Sequence, residues 1–192
     1  MDSVLSLNEY DEVGIIDTID GSYLGVSVIG VDKDIPRLFN EGWTDAFITV
    51  GSVGNSAIRR KLYKMVKEIG LTIPTNIDST AIIGNGVNIG EGSFVGKKTV
   101  VNAGSLVGVC AIINTGAILE HDCIIGDYSH ISPGTVLCGQ VSVGNDSHVG
   151  AGSTVRQLIR IGENSLIGAG SVIVKDIPPS VKAYGNPCRV VE

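Results

Sequence analysis

The chemistry-bearing residues of this chain cluster around three histidines. His121 stands in Ile118-Leu119-Glu120-His121-Asp122-Cys123, between two carboxylates. An imidazole changes charge near neutral pH, and a neighbouring carboxylate can fix its tautomer and stabilise its protonated form. Such a pair is suited to work as a general base. Either Glu120 or Asp122 could orient the ring, and the same residues also fit an ordinary surface histidine. Asn114, just upstream, is a turn asparagine or a ligand contact. His130 and His148 form a second pair. Two imidazoles could begin a metal site, but the flanking residues offer no clear third ligand, and no metal is expected. The fourth candidate is Gly51-Ser52-Val53-Gly54-Asn55, which follows an apolar run and precedes a helical stripe. A glycine turn feeding a helix can hold phosphate, and Arg59 and Arg60 lie nearby. The stretch lacks the full dinucleotide fingerprint, so a tight strand-to-helix turn explains it equally.

The elements that must carry the histidines follow one rule. Every sixth residue from Ile77 to Ile173 is aliphatic, seventeen in all, with no insertion. The next residue is often glycine, and the residue four places on is usually small, as in Ser93, Thr99, Ser105, Ala111 and Ala117. A period of six suits neither an α-helix nor a hairpin sheet. It suits a solenoid of very short parallel strands, with one inward aliphatic residue per strand and small residues or glycine where the chain bends. The pattern resembles the left-handed parallel β-helix of hexapeptide-repeat acyltransferases, in which three hexapeptides make one triangular coil. That resemblance puts Ala103 below His121 and Gly139 above it, and stacks His130 on His148.

The chain has 192 residues and a formal charge of −6, which argues against nucleic acid as a main partner. It has no long apolar run and no secretory leader pattern, so the reading is a soluble cytoplasmic protein without a membrane partner. Cys110, Cys123, Cys138 and Cys188 show no metal spacing and no disulfide framework. Residues 1–12 suggest the end of a helix or a loose arm. Val13–Ile16 and Asp45–Val50 are strand candidates, residues 18–25 a loop, and residues 33–41 a short helix. Ile58, Leu62, Met65, Val66 and Ile69 form a helical stripe, capped by Asn55 or Ser56 and ended by Gly70. The expected division is an α/β substrate-binding domain over 1–72 and a β-helix over 73–192, whose last residues cap the open coil.

A narrower resemblance rests on Ile113-Asn114-Thr115-Gly116-Ala117-Ile118-Leu119-Glu120-His121-Asp122-Cys123, continuing through Ile125-Gly126-Asp127-Tyr128-Ser129-His130-Ile131. The glycine turn and the tail Gly185-Asn186-Pro187-Cys188-Arg189 add to it. The whole chain resembles the sugar O- and N-acetyltransferases that include sialic-acid and bacillosamine-type enzymes. The resemblance implies a homotrimer that moves an acetyl group from acetyl-CoA to a hydroxyl or amine of a sugar or nucleotide-sugar. It implies His121 as the base, Asp122 as its orienting partner and Asn114 near the reaction centre. His130, Gly139, Gly185, Asn186, Pro187 and Arg189 would lie along the cofactor. Gly51, Ser52, Gly54, Asn55 and Arg59 would contact the acceptor. Family members usually open with a strand and glycine loop that this sequence does not show, which leaves a non-catalytic trimer as one alternative; a non-sugar acceptor on the same fold is another. A hydrolase of the carbonic-anhydrase type would need a three-histidine zinc site.

Overall fold

A computed structural model describes residues 1–191. The sixfold rule becomes a triangular solenoid of two-residue parallel strands. The strands stack into three sides. One side holds 76–77, 94–95, 112–113, 130–131, 148–149 and 166–167; the next holds 82–83 through 172–173; the third holds 88–89 through 160–161. Every step up a side is a shift of eighteen residues, as in Ile112 to His130 and Ile118 to Val136. From the second coil onward the second residue of each strand points inward, while Ile83 in the first coil is 38% exposed. Val95, Val101, Ile113, Leu119, Ile131, Leu137 and Val149 have no exposed surface. Each such burial is worth roughly 1.5–3 kcal/mol relative to exposure.

The turns explain which residue types the repeat tolerates. The third residue after each inward position has a φ of 50–72° in all fifteen turns from Gly86 to Gly170. Glycine occupies seven of these positions; Asp122, Asp146 and six other side chains occupy the rest. The glycines directly after the inward residue serve a different purpose from the bend relief expected of them. A Cβ at Gly84 would sit 2.7 Å from the Ala103 nitrogen, and one at Gly150 would sit 2.5 Å from the Ala169 nitrogen. They let successive coils approach. The small residues four places on are mostly hydroxyls for a reason the pattern alone does not reveal. Ser93, Ser105, Ser129 and Ser147 donate to the carbonyls of Gly108, Glu120, Gly144 and Gly162 in the next coil. A buried hydroxyl without such an acceptor would be costly.

The tail closes one end. Lys182–Tyr184 adds a parallel strand to Leu166–Ile167, and Arg189–Val190 folds back on it antiparallel.

The N-terminal lobe is small. Helix α1 (Asp2–Leu7) precedes β1 (Ile15–Ile16), β2 (Ser22–Tyr23) and β3 (Val26–Gly30), arranged in the order β1-β3-β2. A 3₁₀ turn at Asp32–Asp34 leads into α2 (Ile35–Asn40), and α3 runs Ala57–Ile69. Thus the expected loop at 18–25 contains a strand. The expected strand at Asp45–Val50 is absent: only Asp45 bridges, to Thr72. A groove of about 590 Å³, lined by Val13, Ile15, Ile16, Trp43, Ala46 and Phe47, lies beside this stretch and β1. The stripe on α3 is only partly buried: Val66 enters the core with Ile35, Leu71 and Ile73, but Ile58 is exposed. Ser56 stands at the N-cap but its hydroxyl turns elsewhere, and Asn55, one residue before it, accepts from the Ala57 amide. No helix among the described residues is long and apolar enough to cross a membrane.

Candidate active site

His121 lies in the turn between the second and third sides, opposite the side that faces the N-terminal lobe. The backbone of this turn is pinned from both neighbouring coils. Asp122 N–H donates to the Ala103 carbonyl, Gln140 N–H donates to the His121 carbonyl, and Ser105 holds the Glu120 carbonyl. The structure decides between the two carboxylates. Glu120 accepts from the Asn102 amide at 3.1 Å, whereas Asp122 Oδ2 lies 2.9 Å from His121 Nδ1. An Nδ1–H that donates to Asp122 leaves Nε2 as the basic nitrogen. The left-handed φ of 58° at Asp122 is part of what turns its carboxylate back to the ring.

Two glycines shape this site. A Cβ on Gly139 would fall 2.5 Å from His121 Nε2, and one on Gly104 would fall 2.5 Å from Asp122 Oδ1. The imidazole lies on Gly139 and the carboxylate lies on Gly104. Counting one coil up from His121 finds Gly139; counting one coil down from Asp122 finds Gly104, which the sequence reading passed over.

Asn114, His130 and the Gly51–Asn55 loop form a second centre, on and beside the lobe-facing side. His130 Nδ1 is 2.9 Å from the Ser52 carbonyl, and its Nε2 is 3.1 Å from Asn114 Nδ2. The carbonyl requires a proton on Nδ1, so Nε2 accepts from the asparagine amide and the ring is neutral. Burial lowers the His130 pKa; the Ser52 bond opposes the shift and the Arg59 charge adds to it. A cavity of about 240 Å³ is bordered by Asn76, Phe94, Ile112, Asn114 and His130 on the solenoid and by Phe47–Gly51 across from them. Within one chain, therefore, Asn114 contacts His130 and makes no hydrogen bond to His121. The three residues grouped as catalytic fall into two clusters, because Asn114 and His121 stand at different corners of the triangle.

His148 stacks on His130 as the eighteen-residue coil implied, edge to face with ring centroids 4.8 Å apart. His148 is 7% exposed, and His130 beside it is partly buried. Burial pushes the His148 pKa down to about 4, with the adjacent His130 ring and the Arg59 charge also disfavouring a proton there. Its depressed pKa makes stability pH-dependent. The unfolded histidine takes a proton near pH 6.5 that the folded one refuses, so this contribution is complete above that pH and is lost as pH falls toward 4. The loss is on the order of 3 kcal/mol. The urea midpoint is expected to fall between pH 7.5 and pH 4.5 by clearly more in the parent protein than in a His148→Gln variant. Equal falls would remove His148 as the cause.

Arg59, expected among the acceptor contacts, is anchored inside the corner of the solenoid and also borders the cavity beside Gly51 and His130. It is 2% exposed and donates to the Cys110 carbonyl at 2.6 Å and to the Tyr128 carbonyl. Gly185, Asn186 and Pro187 make the turn between the two tail strands, and Arg189 opens the second of them. The described residues include no group of three or more His, Cys, Asp or Glu side chains arranged to hold a metal ion.

Comparisons with known proteins give this geometry its context. A family of bacterial transferase hexapeptide repeats (six repeats) matches residues 122–157, which begin at Asp122. A histidine-to-asparagine variant of perosamine N-acetyltransferase from Caulobacter crescentus, solved with CoA and GDP-perosamine, is similar along the whole chain. The identity is 34%, the TM-score is 0.93, and the match covers 100% of this chain and 90% of that one. The acetyltransferase domain of PglB from Neisseria gonorrhoeae, solved with acetyl coenzyme A, matches at 34% identity and a TM-score of 0.93, covering 99% and 91% of the two chains. WeeI from Acinetobacter baumannii matches at 25% identity and a TM-score of 0.84, over 93% and 85%. The solenoid is thus a left-handed parallel β-helix, and the chain belongs to the sugar acetyltransferases of the hexapeptide-repeat superfamily.

Proposed function

We propose that this protein transfers the acetyl group of acetyl-CoA to the amino group of a nucleotide-linked amino sugar, with His121 as general base. The observation that carries the reading is the His121–Asp122 pair, 2.9 Å apart, with Nε2 directed over Gly139 in a chain similar to a perosamine N-acetyltransferase along its full length. In the reaction His121 Nε2 takes a proton from the attacking amine as the new N–C bond forms. Asp122 stabilises the imidazolium. The C–S bond then breaks, and the proton passes to the departing thiolate. The thioester is already activated, so the step requires no metal.

The two clusters support a homotrimer. His121 sits at the vertex opposite the side that carries Asn114, His130 and the glycine loop, so one chain alone does not bring them together. The third side also exposes Leu106 and Ile124, outward neighbours in successive coils, as an apolar strip suited to a second copy. In this arrangement residues 1–72 hold the acceptor through Gly51, Ser52, Gly54 and Asn55. Residues 73–192 hold acetyl-CoA along the cleft past Gly139 and the tail at Gly185, Asn186, Pro187 and Arg189. The protein works as a cytoplasmic enzyme. N-acetylation is favoured over O-acetylation because a full-length relative is an N-acetyltransferase crystallised with a nucleotide-linked amino sugar.

The test is thiol release from acetyl-CoA with GDP-perosamine, other nucleotide-linked amino sugars and free sialic acids. Turnover with one or more nucleotide-linked amino sugars is expected. Turnover with sialic acids alone would replace the amine with a hydroxyl acceptor.

A further inference from the structure

Helix α3 meets the solenoid through its polar face, contrary to what its apolar stripe suggests. Glu91, Cys110, Tyr128 and Asp146 line one corner of the solenoid, and the last three are spaced eighteen residues apart with φ of 50°, 58° and 60°. The helix climbs this column. Lys67 and Tyr63 bind Glu91 near its C-terminal end. Arg59 donates to the carbonyls of Cys110 and Tyr128. Arg60 lies 4.0 Å over the Tyr128 ring and forms a two-pronged pair with Asp146 at 2.8 and 2.6 Å. Ser56, the residue before the helix, donates to the same carboxylate. A helix turn rises about 5.4 Å and a coil about 4.8 Å, so one turn matches one coil over this short span. The match explains why basic residues off the apolar stripe are the ones that dock.

The loop before α3 is fixed at both ends by this arrangement. Ser52 is held through its carbonyl by His130, and Ser56 through its hydroxyl by Asp146. Between them Gly54 lies over Leu166 of the lobe-facing side. We propose that Asp146 is a positioning residue for the acceptor, acting by fixing the Gly51–Asn55 loop against the solenoid. This rests on the reading that the loop contacts the acceptor. Asp146 touches neither reacting group. It ties the start of α3 to a rigid corner, and the loop is a stretched connection between that tie and His130. Glu91 makes a comparable tie at the far end of the helix, where no loop depends on it, and so provides an internal control.

The experiment compares Asp146→Ala, Asp146→Asn and Glu91→Ala by hydrogen–deuterium exchange of residues 50–57 without ligand and by steady-state kinetics with GDP-perosamine. Asp146→Ala is expected to speed loop exchange about tenfold and to raise the acceptor KM about tenfold, leaving the acetyl-CoA KM unchanged. Asp146→Asn keeps an acceptor for Ser56 and should recover part of both effects. Glu91→Ala should alter neither, even where its melting temperature falls as far. Unchanged loop exchange in Asp146→Ala, or an equal increase in Glu91→Ala, would overturn the proposal. If the parent protein does not acetylate GDP-perosamine, that failure bears on the acceptor assignment, while the exchange comparison still decides the role of Asp146.

Discussion

Replacing His121 by alanine is expected to lower kcat by about a thousandfold, within the range that a well-placed general base contributes. The side chain is 60% exposed, so its removal should leave the fold nearly untouched. The expected result is therefore a folded variant with the parental melting temperature, oligomeric state and acetyl-CoA binding, and almost no thiol release. Asp122→Asn should fall between the two, because it keeps a hydrogen-bond partner for Nδ1 and loses the charge that stabilises the imidazolium.

The second large effect is expected at Gly139, which carries no functional group. A Cβ there would lie 2.5 Å from His121 Nε2 and 2.8 Å from Cε1, so valine must displace the ring. A displacement near 1 Å in a reacting geometry costs about a hundredfold in rate. Gly139 is outside the left-handed turn positions, so valine adds no strain of that kind. The Gly139→Val variant should melt like the parent and turn over about a hundredfold more slowly. Gly150→Val offers the contrast. Its Cβ would meet the backbone of the next coil at 2.5 Å, so this variant should lose stability as well. Loss of activity at Gly139 accompanied by equal unfolding would mean that the glycine serves the coil and not the histidine.

The solenoid was legible because one inward side chain per strand leaves a period of six that neither an α-helix nor a hairpin sheet produces, and because the period never slips between Ile77 and Ile173. Once the coil length was granted, the neighbours of His121 and the stack of His130 on His148 followed by counting. The lobe was harder. Asp45–Val50 has the composition of a strand, yet strand formation needs a partner, and only Thr72 bridges to it. Arg59 and Arg60 looked like solvent-facing or phosphate-binding cations because helical periodicity identifies only the apolar face of a helix. Their partners are two backbone carbonyls, an aromatic ring and Asp146, and carbonyls leave no mark in a sequence. The resemblance places Asn114 near the reaction centre, and within one chain a six-residue side puts it at a different corner of the triangle from His121.

Amine acetylation by this protein is expected to depend on His121. The most direct measurement is the mass and quantity of product formed from acetyl-CoA and a nucleotide-linked amino sugar, followed alongside thiol release, in the parent and His121→Ala proteins. The parent should add one acetyl group at the amine for each thiol released, and the variant should form almost no product. Equal turnover by the two proteins, or thiol release with the sugar left unmodified, would contradict it.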